Sequence, residues 1–234
     1  MAGRDIEDVD ADRLSHASLA RGDATGWFER LYAEADHGSA IVPWDRGTAN
    51  PMLVEWSERA ERDRSGTALV VGAGYGTDAV YLAELGHRVT AFDIASTAIA
   101  EAARRFADRP VTFTVADLLH PPAAWTAGFD LVLESYTVQA LPLSLRATAT
   151  TNVSRFVAPG GTLLVIGAGR SDDELDPPGP PWPLTRAEVT AFADHGLTPV
   201  LIEQLRSPTG GLHWRAEWSA AQSPTERSPH PGGR

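Results

Sequence analysis

A glycine-rich turn, Gly72-Ala73-Gly74-Tyr75-Gly76, has the clearest chemical potential in this sequence. It directly follows a short apolar run rich in β-branched residues and precedes a helical pattern. Glycine lets the backbone turn tightly and approach a ligand closely, and the N-terminus of the following helix attracts polar or anionic groups. The pattern predicts a nucleotide-type ligand here; a turn that merely joins a strand to a helix is the simpler alternative.

Three carboxylates follow the next apolar runs of the chain. Asp93 stands seventeen positions after Gly76, at a point where a side chain could accept both hydroxyls of a ribose, although it could also cap a helix. Asp117 is positioned to meet the amine of an adenine, with loop capping as its alternative. Glu134 begins a third polar group, Glu134-Ser135-Tyr136. We expect all three at the carboxyl edge of one sheet.

The elements that must position these side chains alternate between apolar runs and Ala-rich helical patterns, which is typical of βαβ units. The predicted strands span residues 68–71, 88–92, 111–115, 129–133, 162–166, 198–205 and 212–218. The predicted helices span residues 51–64, 77–85, 96–107, 144–156 and 185–194. Because only a short turn joins the last two strands, they must be antiparallel. The prediction is an α/β fold with a seven-stranded, mostly parallel sheet, an antiparallel edge hairpin and helices on both faces.

The length of 234 residues favours one domain with extended ends. Residues 1–24 are acidic and weakly periodic, and we expect a flexible arm there that contributes at most one helix. A single domain is expected over residues 25–219, with an N-terminal cover formed by residues 25–64. Residues 220–234 are rich in Pro, Ser and Gly and predict a disordered tail.

Composition excludes several classes of function. The formal net charge of −11 would repel phosphate backbones and anionic lipids, so we expect no nucleic-acid or membrane partner. The chain has no cysteine, and its seven histidines form neither an i, i+4 pair nor an HExxH motif, so no metal site is expected. The N-terminal sequence lacks the apolar run of a secretory signal, which favours a cytoplasmic location.

Residues 68–166 resemble a class I S-adenosylmethionine-dependent methyltransferase in the glycine turn, the FDLVLE strand and the VAPGG turn, and the later edge hairpin fits the same class. The resemblance implies a Rossmann-like fold and S-adenosyl-L-methionine as cofactor. An NAD-type oxidoreductase, which shares the glycine turn, and a non-catalytic Rossmann-like binding module remain alternatives. The implied cofactor-binding residues are Trp44, Gly72, Ala73, Gly74, Gly76, Asp93, Ile94, Asp117, Leu118 and Glu134.

A narrower resemblance concerns Pro43-Trp44-Asp45-Arg46-Gly47 and Gly179-Pro180-Pro181-Trp182. Both segments are similar to motifs of the thiopurine, thiol and halide methyltransferase group. This implies that Trp44 lies over the cofactor and that aromatic residues wall the acceptor pocket. Ser135 and Trp182 depart from the aromatic and tyrosine residues of that group, which favours a larger organic acceptor. The expected pocket residues are Trp27, Ser135, Gln139, Arg170 and Trp182.

The acceptor that this resemblance favours is a small organic thiol or another soft nucleophile. A thiol with a pKa of about 8.5 is partly ionised at neutral pH, so sulfur methylation needs no obligatory base. An O- or N-methyltransferase of secondary metabolism is the alternative, and there a base would matter more. The candidate catalytic residues are His37, Tyr136 and His213. The sequence leaves monomer and homodimer equally open.

Overall fold

A seven-stranded sheet forms the centre of the computed structural model, which describes residues 9–59, 65–175, 177, 179–207 and 210–222. The strands are β1 (Thr67–Val71), β2 (Arg88–Asp93), β3 (Val111–Val115), β4 (Phe129–Ser135), β5 (Val157–Ala168), β6 (Leu197–Arg206) and β7 (Leu212–Ala220). Their order in the sheet is β3-β2-β1-β4-β5-β7-β6. β1 to β5 are parallel, and β7 is antiparallel to both β5 and β6. The predicted fold class is confirmed.

The helices are α1 (Val9–Leu19), α2 (Gly26–Asp36), α3 (Pro51–Glu58), α4 (Thr77–Glu84), α5 (Ser96–Arg105), α6 (Leu143–Arg155) and α7 (Arg186–Thr190). The helix predicted over 51–64 ends at Glu58, and residues 60–64 lie outside the described ranges. The helix predicted over 185–194 divides into α7 and a 3-10 turn, Ala191–His195. Within the described part of the chain, no helix is long and apolar enough to cross a membrane.

Alternating side chains of β1, β4 and β5 supply two hydrophobic clusters, one on each face of the sheet. On one face, α3 and α4 cover the strands with Leu53 and Leu82. On the other face, α6 covers them with Ala149 and Val153. A strand buried on both faces reads as a continuous apolar run, which explains why the parallel strands were recognisable in the sequence.

The N-terminal arm contributes one helix, as the sequence allowed, but this helix is packed against the domain instead of being loose. Residues 9–19 form α1, which packs on α2, and Leu14 and Leu31 are buried in a third cluster. Arg30 of α2 donates a hydrogen bond of 2.6 Å to Ser18 of α1. The buried face of α1 includes Ser15 and Ser18, so hydrophobic periodicity does not reveal it. At the other end, β7 extends to Ala220, and residues 223–234 of the expected tail lie outside the described ranges.

Glu29 of α2 caps the N-terminus of α5. Its carboxylate accepts hydrogen bonds from the Thr97 backbone N–H at 3.1 Å, from the Thr97 hydroxyl at 2.5 Å and from the Ser96 hydroxyl at 3.2 Å. The N-cap residue of α5, Ala95, has no side-chain oxygen for this purpose. The N-terminal cover is thereby fixed to the helix that follows β2.

Replacing Glu29 by alanine leaves these donors without their charged acceptor. We expect Glu29→Ala to lower the free energy of unfolding by about 1–2 kcal/mol. At ~2–4 °C per kcal/mol for a chain of this size, the melting temperature falls by roughly 2–8 °C in a thermal scan. Asp36→Ala, at the opposite end of the same helix, is the control and should leave the melting temperature nearly unchanged. Equal melting temperatures for both variants would contradict the capping role.

Candidate active site

A cavity of about 480 Å³ opens at the carboxyl edge of the sheet. Its walls come from the glycine turn, the ends of β1, β2 and β4, the helices α1 and α2, the loop before α3, Pro177 and residues 179–181. Open α/β sheets place their ligands at this edge, and the volume is suitable for a cofactor-sized molecule.

The glycine turn forms the floor of the cavity. Gly72, Gly74 and Gly76 have positive φ angles of 59°, 52° and 85°, which favour glycine. A Cβ atom on Gly72 would lie 2.2 Å from the Thr137 hydroxyl oxygen. Gly72, Ala73 and Gly74 line the cavity as expected. Gly76 does not; it lies beneath the turn, where a Cβ atom would lie 2.5 Å from the ring of Phe113.

Asp93 lies at the end of β2, is buried, and faces the cavity. One carboxylate oxygen accepts the Gly74 N–H and the other accepts the Ala95 N–H, both at 2.9 Å. Burial raises the pKa of Asp93, while the two backbone donors act in the opposite direction. A carboxylate has about four lone-pair positions, so these two bonds leave capacity for donors of a ligand.

Asp117, Ile94 and Leu118 also line the cavity. One oxygen of Asp117 accepts the Leu119 N–H at 2.8 Å, and the other lies 2.9 Å from Nδ1 of His120. Asp117 therefore caps its own loop, as the alternative predicted, and it also faces the cavity. The two carboxylates and the neighbouring apolar side chains form a surface suited to hydroxyls, an amine and an aromatic base.

Glu134 differs from its expected position. It points to the same sheet face as Val132 and does not line the cavity, because side chains alternate along β4. One of its oxygens accepts the N–H groups of Thr137 and Val138, at 2.8 and 2.9 Å. Among the described residues the other oxygen has no hydrogen-bond partner, and burial raises the pKa of Glu134 to about 7. Glu134 therefore stabilises the loop after β4 through these two backbone hydrogen bonds.

Aromatic side chains form the wall opposite the sheet. Trp27 and Trp44 line the cavity as expected, and the Trp44 Nε1–H donates to the Tyr32 hydroxyl at 2.7 Å. Sequence analysis missed Tyr32, Phe28 and Tyr75, which also line it. The spacing of Phe28 and Tyr32 on α2 is the signal that could have revealed two of them.

The loop that carries Trp44 is held by α5. Asp45 pairs with Arg105 at 3.0 Å, and the Arg105 guanidinium lies 3.9 Å above the centre of the Tyr75 ring. The position of Trp44 thus depends on the same helix that Glu29 caps.

Tyr136 and His213 form a hydrogen-bonded pair at the wall of the cavity. The Tyr136 hydroxyl lies 2.9 Å from Nδ1 of His213, and Tyr136 has a positive φ of 60°. Burial raises the pKa of Tyr136 to about 12 and lowers the pKa of His213. Tyr136 lines the cavity. His213 does not line it and is connected to it by the hydrogen bond with Tyr136. The third candidate base, His37, is exposed at the end of α2 and lies outside the cavity.

The expected acceptor residues divide into two groups. Ser135 and Gln139 line the cavity, whereas Arg170 and Trp182 do not. The Arg170 guanidinium donates to the carbonyls of Pro183 and Glu174, and the Trp182 Nε1–H donates to the Pro177 carbonyl at 2.9 Å. The polar groups of both side chains thus bind backbone carbonyls of the neighbouring chain segment, and neither faces the cavity.

Additional polar groups lie beside Ser135. The Asn50 N–H donates to Asp78 at 2.7 Å, and the Asn50 side chain donates to the Ser135 hydroxyl at 3.3 Å. Asn50 is also the N-cap of α3, where its side-chain oxygen accepts the Met52 N–H at 2.9 Å. Within the described ranges, no group of three or more His, Asp or Glu side chains is arranged to hold a metal ion.

The amino-acid sequence is similar to known methyltransferases. Residues 68–161 match a sequence family described as "Methyltransferase domain". A 2-heptyl-1-hydroxyquinolin-4(1H)-one methyltransferase of Mycobacteroides abscessus is 30% identical over 154 residues, which cover 64% of this chain and 66% of that protein. A probable thiol methyltransferase 2 of Arabidopsis thaliana is 25% identical, over 65% of this chain and 66% of that protein. The chain thus spans just under two thirds of the length of these relatives.

The fold has solved counterparts of the same kind. The 1,6-didemethyltoxoflavin-N1-methyltransferase of Burkholderia thailandensis, crystallised with S-adenosylhomocysteine, matches with a TM-score of 0.66 and 19% identity over 89% of this chain and 90% of that one. Fold, cavity and relatives together define a class I S-adenosylmethionine-dependent methyltransferase domain. Residues 68–161 match the methyltransferase domain, and the fold around them is that of this class, whose cofactor is S-adenosylmethionine.

The buried carboxyl of Glu134 makes stability depend on pH. Its pKa of about 7 in the folded protein exceeds the ordinary value of 4.5, so its contribution to stability is full below pH 4.5 and is lost as pH rises through 7. Between pH 5 and 8 we expect the parent to lose about 2–3 kcal/mol more unfolding free energy than Glu134→Gln does. Denaturant titrations at both pH values measure this, with the exposed Glu58→Gln as control. A difference between parent and Glu134→Gln that does not change with pH would contradict it.

Proposed function

We propose that this protein transfers a methyl group from S-adenosylmethionine to a small organic molecule. The observation that supports this proposal most strongly is that the glycine turn, Asp93, Asp117 and Trp44 all line the same cavity. In this proposal Asp93 accepts ribose hydroxyls, Asp117 accepts the adenine amine, and the turn from Gly72 to Gly74 binds through its backbone.

The donor set fits such a cofactor, because the carboxylates face hydroxyl and amine donors while the aromatic wall faces apolar parts. When bound, S-adenosylmethionine supplies an electrophilic methyl carbon: the lone pair of the acceptor forms the new bond, and the electron pair of the broken carbon–sulfur bond returns to sulfur. The residues of this chain contribute alignment of the acceptor and exclusion of water, which in model systems gain up to ~7–11 kcal/mol.

We infer that the favoured acceptor is a thiol or another soft nucleophile. The thiol methyltransferase relative and the apolar, aromatic wall around Trp27 and Trp44 support this assignment. Ser135 and Gln139 provide polar groups at the cavity wall, where they can orient an acceptor. A thiol ionises enough at neutral pH to react without a protein base.

O- or N-methylation is the second candidate, and the Tyr136–His213 hydrogen bond favours it. Tyr136 keeps its proton at neutral pH, and in this second candidate it donates that proton to Nδ1 of a neutral His213. An acceptor hydroxyl can therefore pass its proton to the Tyr136 oxygen while the phenolic proton moves to Nδ1 of His213. One relative is named as a methyltransferase of 2-heptyl-1-hydroxyquinolin-4(1H)-one, a heterocycle with a hydroxyl group, and an acceptor of that kind suits such a relay.

A methyl-transfer assay with labelled cofactor and three matched aromatic acceptors separates these candidates: a thiophenol, a phenol and an N-hydroxy heterocycle. For the thiol we expect Tyr136→Phe and His213→Asn to retain turnover within about threefold. For the oxygen acceptors a lost base costs ~10²–10⁴-fold. The rate with those acceptors rises with pH through a limb below about 6.5, because a neutral His213 is needed and its pKa is lowered.

His37→Asn is the matched control for His213→Asn, since His37 is exposed outside the cavity. Faster turnover of the oxygen acceptors than of the thiophenol would replace the thiol assignment by the second candidate. No transfer to any acceptor, together with no binding of S-adenosylhomocysteine, would reject the proposed function as a whole.

A further inference from the structure

Arg46 is the only arginine among the described residues that line the cavity. It follows Trp44 and Asp45 in the loop before α3. Five aspartates also contribute to the cavity wall: Asp12, Asp45, Asp78, Asp93 and Asp117. An anionic ligand entering this cavity would therefore meet mainly negative groups, on a chain whose net charge is already −11.

Within the described ranges the guanidinium of Arg46 is in no ion pair, although at Asp78, whose pKa is raised by burial, the charge of Arg46 acts in the opposite direction. Asp45 is paired with Arg105, and Asp78 accepts the Asn50 N–H. Arg46 nevertheless lies close enough to Tyr136 and His213 to lower the pKa of both groups. Its guanidinium is therefore a cation without an ion-pair partner in the described ranges, on the cavity wall that also includes Tyr136.

We propose that Arg46 binds the negative charge of the acceptor, so that the protein selects acceptors that react as anions. This inference rests on the proposed methyl transfer and assigns its substrate class: small organic molecules with a negative charge on the nucleophilic atom or beside it, such as an aromatic thiolate. A guanidinium suits this role because it stays charged at all relevant pH values and offers five N–H donors and no acceptor. Arg46 would contact the acceptor directly and offset the repulsion of the surrounding aspartates.

An anion and its neutral isostere test the proposal without requiring turnover. Benzenesulfonate and benzenesulfonamide are titrated by calorimetry into the full-length protein, with and without S-adenosylhomocysteine. We expect benzenesulfonate to bind, Arg46→Gln to weaken that binding roughly tenfold, and Arg46→Lys to weaken it less. Binding of benzenesulfonamide and of S-adenosylhomocysteine should change less than about threefold in either variant.

Arg155→Gln at the exposed end of α6 removes the same charge far from the cavity and is the control. In the methyl-transfer assay, Arg46→Gln is expected to raise the KM of thiophenol by a similar factor. Equal affinity of parent and Arg46→Gln for benzenesulfonate, an equal loss in Arg155→Gln, or no binding of benzenesulfonate to the parent would each overturn the proposal. Failure to bind S-adenosylhomocysteine would instead reject the proposed function, and the titration without that ligand still tests Arg46.

Discussion

The buried carboxylate of Asp93 is the interaction on which the cavity depends. By accepting the amides of Gly74 and Ala95, it joins the glycine turn to the beginning of α5. The N-terminal cover is then built on α5, because Glu29 caps that helix and Asp45 pairs with Arg105 near its other end. The glycine turn on the cavity floor and the aromatic wall are therefore both connected to α5, whose beginning Asp93 holds.

The same carboxylate explains why a structural and a ligand-binding role need not exclude each other. Burial disfavours the charged form of Asp93, and the two backbone donors offset part of that cost. A ligand that adds hydroxyl donors to the remaining lone pairs would stabilise the charged form further. A buried carboxyl with a perturbed pKa at a cavity is a common property of functional sites. Glu134 has the same burial without access to the cavity, and its role is limited to the loop after β4.

Sequence alone could predict the sheet and the carboxylates at its edge, because strands buried on both faces are continuous apolar runs and strand ends are easily located. The sequence could not predict in which direction the side chains at and after the strand ends point. Glu134 points to the same sheet face as Val132 and accepts N–H groups of the loop after β4, and the Trp182 Nε1–H donates to the Pro177 carbonyl away from the cavity. The bounds and packing of α1 were not predicted, because its buried face contains two serines, of which Ser18 accepts a hydrogen bond from Arg30 of α2. Arg46 had no signal of its own in the sequence beyond its place in the segment Pro43-Trp44-Asp45-Arg46-Gly47.

Calorimetric titration of S-adenosylhomocysteine into the parent, Asp93→Ala and Asp130→Ala tests the central claim most directly. Asp130 accepts the Thr67 N–H at 2.8 Å at the opposite edge of the sheet, so its loss affects the fold alone. The account predicts that the parent binds S-adenosylhomocysteine, that Asp93→Ala loses about 10- to 150-fold in affinity, and that Asp130→Ala retains the parental affinity despite a lower melting temperature. Binding of NAD but not of S-adenosylhomocysteine, or an unchanged affinity in Asp93→Ala, would contradict it.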